Sequence, residues 1–172
     1  PVYATLESAG YIKAMSFTND FMGSRHSPSH SDEPIVYRAG DVFLGLDLHP
    51  HIVYAQREVL ARMRARGVQV HFVVYDLLCE TLPHHFVPNS QEPFVRWLTI
   101  VSQSDGAICI SKDVADGLRN WVAQQGLENT RHFAIKHFNL GADLVGSVPS
   151  SGISEQEQRL LHELEGQLNF LM

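Results

Sequence analysis

Cysteine is scarce, and long apolar runs are missing. Only Cys79 and Cys109 occur among 172 residues. Neither belongs to a CxxC pair, and both sit in hydrophobic surroundings, which reads as buried thiols in a reducing compartment. No apolar run approaches the roughly 18 residues that a bilayer span requires, and no basic-then-apolar signal opens the chain. The expectation is a soluble, cytosolic protein. It starts at Pro1 and not at Met, so it is expected to be a piece of a longer chain. Phosphate-loop and hydrolase signatures are also missing. The sequence contains no Walker loop, no GxGxxG after a strand, no GxSxG elbow and no HExxH. Gly141-Ala142-Asp143 follows a strand but is not a phosphate-binding glycine loop. Dinucleotide-dependent, P-loop and serine-hydrolase chemistries are disfavoured together. Net charge is modest at −6, so no nucleic-acid partner is expected.

What is present is alternation. Two apolar runs, Asp41–Leu46 and Val68–Tyr75, each end on an aspartate, Asp47 and Asp76. Between them Ile52–Arg66 carries Ile52, Val53, Val59, Leu60 and Met63 at three- and four-residue steps, and Gly67 stops the helix. A second helix is predicted from about Glu92 to Gln103, a third strand over Gly106–Ile110, and a third helix from the N-cap Ser111 to about Gln124. His132–Leu140 reads as a fourth strand. The first apolar run looks like a strand covered on both faces. This order predicts an α/β fold, a Rossmann-like, doubly wound and mainly parallel sheet.

The flanks are less regular. Tyr11–Met22 fits either helix or strand, Gly23–Pro34 reads as a loop, and Ile35–Tyr37 as a short edge strand. Gly146–Gly152 has linker composition, Ser154 and Glu157 form a capping box for a helix, and Gln167–Met172 begins another apolar run. The expected organisation is a domain over residues 1–145, a linker and helix over 146–166, and the start of a further domain at 167–172.

In open parallel sheets ligands bind beyond the carboxyl ends of the strands, which directs attention to two short segments. Asp47-Leu48-His49-Pro50-His51 can act as a polar loop that hydrogen-bonds a substrate, as plain capping of the next helix, or as a metal half-site. Pro50 favours an extended or turn geometry at His49, so the two imidazoles need not converge. Tyr75-Asp76 can bind substrate hydroxyls or cap the turn after its strand. His84-His85 is expected to face solvent. Arg57, Arg62, Arg64 and Arg66 form either a solvated helix face or a contact for anionic lipid or a phosphate-bearing acceptor.

The segments GDVFLGLDL (40–48), GVQVHFVVYDLL (67–78), GAICISKDVADGL (106–118) and HFNLGAD (137–143), in that order, resemble the amino-terminal domain of bacterial glycosyltransferases of family 4. These are retaining enzymes of the two-domain GT-B architecture, often mannosyltransferases of O-antigen or other polysaccharide assembly. The resemblance covers residues 35–145 well and the first 34 poorly. It implies transfer of a hexose, such as mannose from GDP-mannose, to a saccharide or lipid-linked saccharide acceptor, in the cytoplasm or peripherally at the inner membrane. No cofactor or metal is implied. The nucleotide-sugar donor would be held mainly by a second domain with an acidic EX7E motif, so this domain alone should be inactive. Many members carry His-Asp where this chain has Tyr75-Asp76. The resemblance therefore carries over Asp76 and Tyr75 as cleft residues, beside Asp47 and His49, all on the acceptor side. Two competitors remain at this stage: a non-catalytic α/β module that binds a saccharide or protein, and a small-molecule enzyme such as an epimerase or hydrolase on a similar sheet.

Overall fold

The computed structural model describes residues 2–15, 33–127 and 133–141. The chain divides into two compact units, Pro1–Leu140 and Gly141–Met172, and the architecture below is that of the first. Residues 23–32 of the loop expected over 23–34, the linker, the capping-box helix and the apolar run at 167–172 lie outside the described residues.

A short antiparallel ribbon, β1 (Val2–Tyr3) and β2 (Ile12–Lys13), comes first. Then follow β3 (Val42–Gly45), α1 (Pro50–Ala55), α2 (Arg57–Ala65), β4 (Gln69–Val74), α3 (Leu78–Thr81), α4 (Gln91–Ser102), β5 (Gly106–Cys109), α5 (Lys112–Gln124) and β6 (Ala134–His137). Strands β3 to β6 form one parallel sheet in the order β3-β4-β5-β6. The parallel α/β sheet expected from the alternation is therefore observed.

Several local signals act as anticipated. Ser111 caps α5, its hydroxyl accepting a hydrogen bond from the Val114 amide at 3.2 Å. Gly67 takes φ +83° where α2 turns back into β4, a left-handed conformation that side chains resist. Ile35–Tyr37 is not a strand; its neighbour Pro34 makes only an isolated bridge to Ile12. That bridge is made by the Lys13 amide donating to the Glu33 carbonyl at 2.8 Å and the Ile35 amide donating to the Tyr11 carbonyl at 3.0 Å, and proline has no N–H of its own to extend it.

The order of the sheet decides which face is covered. Each parallel crossover is right-handed by rule, and here the crossovers all step the same way, so their helices share one face. Helix α1 accordingly packs on α4. Phe43, Val70, Phe72, Val74, Ala107 and Cys109 point into that face and are buried. On the other face Val42 is 62% and Leu44 43% exposed. The expectation of a first strand covered on both sides is thus corrected: among the described strands β3 lies at the edge, with Val42 and Leu44 of its second face exposed. The reversal of order that marks the switch point of a doubly wound sheet does not occur among the described strands.

An aromatic ladder crosses the covered face. Tyr11 meets Phe43 (ring centroids 4.7 Å apart), Phe43 meets Phe72 (6.3 Å), Phe72 meets Trp97 edge-on (6.4 Å), and Trp97 meets Phe94 (5.4 Å). It ties the ribbon, two strands and α4 together, each contact adding about 0.5–1.5 kcal/mol beyond area burial. Burial raises the Tyr11 hydroxyl pKa to about 12, so it stays protonated. The predicted single helix over 52–66 is two helices meeting at Gln56, which is 2% exposed. Its amide nitrogen donates to the carbonyls of Thr5 (3.0 Å) and Ser8 (2.9 Å), fastening the ribbon to the helices.

At the amino ends of the strands an acid is fully occupied. Asp105 accepts from the Val70 amide at 2.8 Å and from Arg64 at 3.1 and 3.3 Å. Arg64 is therefore a clamp between α2 and the start of β5. Arg57 lies over the Tyr54 ring at 4.6 Å and Arg66 over Tyr37 at 5.7 Å. Among the described residues, no helix is long and apolar enough to cross a membrane.

Candidate functional site

The acids at the carboxyl ends are in a different situation from Asp105. Asp47 and His49 follow β3 directly, and their side chains approach to 3.5 Å with 84% and 62% of their surface exposed. Tyr75 follows β4, and its hydroxyl donates to the Leu46 carbonyl at 2.7 Å. That bond pins the loop after β3 to the loop after β4, so the strand order itself brings the two segments together. Asp76 is half-buried, and its Oδ1 accepts from the Leu78 amide at 2.9 Å, starting the short α3. The capping role foreseen as one alternative for Asp76 is present, and it uses one carboxylate oxygen only.

A cavity of about 400 Å³ opens beside the end of β3. Asp47 and His49 stand on its polar side, while Tyr11, Phe43, Leu44, Ile52 and Phe72 supply apolar wall. Gly45 matters to its shape. A Cβ at this position would lie 2.5 Å from Cδ1 of Phe72, and Phe72 is fenced by Phe43 and Trp97. Gly45→Ala is expected to cost about 1–3 kcal/mol through this overpacking. A chemical-denaturation midpoint unchanged from the parent protein would refute the assignment.

His51 does not join His49. It lines two other cavities, of about 380 and 300 Å³, on the far side of the same loop. Pro50 separates the two imidazoles, as its backbone preference suggested. The rings of His84 and His85 lie 4.1 Å apart, tilted by 43°, in an exposed 3-10 turn. Both cysteines are buried, as their surroundings implied. Burial lifts the Cys109 thiol pKa to about 11, against a lowering by Arg119. Burial, then Asp76 and Glu80, raise that of Cys79. Both remain protonated at neutral pH.

Sequence reasoning missed the apolar wall of the first cavity, because Tyr11 comes from a segment with no clear period. It also missed the second cavity, whose lining is drawn from residues 48–51 and 79–94. No motif joins those segments.

Two serotype-specific mannosyltransferases WbdA of Escherichia coli are each 31% identical to the chain over 166 residues. The chain resembles part of a mannosyltransferase. The match covers 91% of this chain but 20% and 19% of those relatives. A third WbdA from the same organism is 29% identical over 160 residues, again 91% of this chain and 20% of the relative. The chain thus spans about a fifth of the length of the curated relatives it matches. No family model and no solved structure matches it. The similarity to a glycosyltransferase expected from the ordered segments is borne out by these relatives, and it extends across nearly the whole chain.

Proposed function

We propose that this chain is the acceptor-side domain of a retaining, GT-B-type glycosyltransferase that transfers a hexose to a saccharide acceptor in polysaccharide assembly. The observation that carries the reading is the similarity to a mannosyltransferase over nearly the whole chain. On this reading the sugar is mannose, the donor GDP-mannose, and the product a lipopolysaccharide O-antigen or a related polymer. The acceptor hydroxyl is held at the carboxyl edge by Asp47, His49, Tyr75 and Asp76, a positioning role that converts a two-body encounter into an oriented one. Such transfer passes through an oxocarbenium-like sugar and a departing nucleotide diphosphate, which preorganised dipoles and cations stabilise. Those donor contacts belong mainly to a second domain. The domain partition is that given above, with residues 1–145 as the acceptor side. The enzyme works in the cytoplasm on a free or lipid-linked acceptor, and Arg57 and Arg62 on α2, with Arg66 just past its end, offer anionic lipid a peripheral contact.

The test is nucleotide release. The full-length protein, incubated with GDP-mannose and a synthetic or lipid-linked saccharide, is expected to liberate GDP in step with glycoside formation. The 172-residue chain alone is expected to liberate none. Absence of release from every common nucleotide sugar by the full-length protein would end the transferase reading in favour of a saccharide- or protein-binding module.

A further inference from the structure

The loop after β3 is a wall between two cavities. Leu46, Asp47, His49, Ile52 and Val53 face the first, while Leu48, Pro50 and His51 face the second. The wall is held at both ends, by the bond from Tyr75 to the Leu46 carbonyl and by the Val53 amide donating to the His49 carbonyl at 3.0 Å. Both cavities, near 400 and 380 Å³, fall in the range of small-ligand clefts, about 300–1,000 Å³.

The second cavity has a distinct chemistry. No Asp, Glu, Lys or Arg lines it, so it offers no carboxylate, ammonium or guanidinium to a charged ligand and suits a neutral one. Phe86 is 41% exposed at its edge. His51 and Asn89 bring planar polar groups to the same space, and Ser90 brings a hydroxyl. Asn89 holds φ +70°, which asparagine tolerates at small cost. The turn is closed behind it by Ser90, whose amide (3.1 Å) and hydroxyl (2.7 Å) both donate to the Val87 carbonyl. An aromatic ring for a C–H face beside planar hydrogen-bonding groups is the pattern that a sugar ring requires, apolar on its faces and polar around its rim.

We propose that this second cavity is a sugar subsite, and that the acceptor is at least a disaccharide lying across the Asp47–His51 wall. The proposal rests on the acceptor-side reading above and adds to it the minimum length of the acceptor. A single sugar would fill only the cavity beside Asp47 and His49. Its neighbour in the chain would reach the ring of Phe86 and the side chains of His51 and Asn89.

Titration of the chain with methyl glycosides of mannose, glucose and N-acetylglucosamine, and with their disaccharides, followed by amide chemical shifts, tests this. At least one disaccharide is expected to bind about tenfold more tightly than its monosaccharide, moving the signals of His51, Phe86 and Asn89. His51→Ala and Phe86→Ala should each abolish most of that advantage and leave monosaccharide affinity unchanged. Asn89→Gly, which keeps the positive φ free of strain, should do the same should either alanine variant fail to fold. Equal affinity for one and two sugars, or an advantage untouched by these variants, overturns the subsite alone. Binding of no saccharide at all overturns the acceptor-side reading and the subsite with it.

Discussion

Trp97→Ala is expected to lower the stability of the domain by about 3–5 kcal/mol, the range for removing a large aromatic from a packed core. Trp97 is 1% exposed on α4 and touches both Phe72 and Phe94. Its loss breaks the aromatic ladder at the point where α4 meets the sheet. A domain of this size has only about 5–15 kcal/mol in total, so the variant should be largely unfolded at modest denaturant. Trp97→Phe gives the discriminating comparison. The indole nitrogen is buried and has no hydrogen-bond partner among the described residues. Phenylalanine therefore removes volume but also removes a desolvated donor, and these effects oppose each other. Phe should recover most of what Ala loses in a urea melt. If Phe is as damaging as Ala, the indole nitrogen has a partner and the core is held by that bond as much as by packing.

The elements of the ladder were largely legible in the sequence, but their assembly was not. Phe72 and Trp97 sit in segments whose periodicity marks them as buried strand and buried helix face. Ser111 and Gly67 announce their caps because each acts on amides a few residues away. The covering of Val42 and Leu44 was misread for a physical reason. A short apolar run is the same whether one or both faces of a strand are packed, and only the order of strands separates the two cases. Gln56 and Asp105 were opaque for a related reason. Each is an ordinary polar residue until a distant segment supplies the carbonyls of Thr5 and Ser8, or the Val70 amide. At the candidate site, the strand-end aspartates were visible as the residues that close apolar runs. The cavity beyond His51 was not, since the loops that line it meet only after the sheet has formed.

On the proposed reading, Asp76 is where the difference between a structural and a chemical acid has the largest consequence. Asp105, at the amino ends, spends both carboxylate oxygens on Val70 and Arg64. Asp76, at the carboxyl ends, spends Oδ1 on the Leu78 amide, and its other oxygen has no such bond among the described residues. Asparagine retains an oxygen able to accept from Leu78, so Asp76→Asn should leave the start of α3 in place and the melting temperature within a few degrees of the parent. What it removes is the charge. A hydroxyl donating to a carboxylate gains about 1.5–3 kcal/mol, more than to a neutral amide. On the proposed transferase reading, loss of that difference, about 1–1.5 kcal/mol, corresponds to about a 5- to 15-fold fall in kcat/KM for transfer by the full-length protein. A fall confined to KM would place Asp76 in uniform acceptor binding, and a fall in kcat would place it where the acceptor is oriented for attack. Stability and transfer dropping together would show that the Leu78 bond needs the charge, and Asp76 would then be a cap like Ser111 and not part of the cleft.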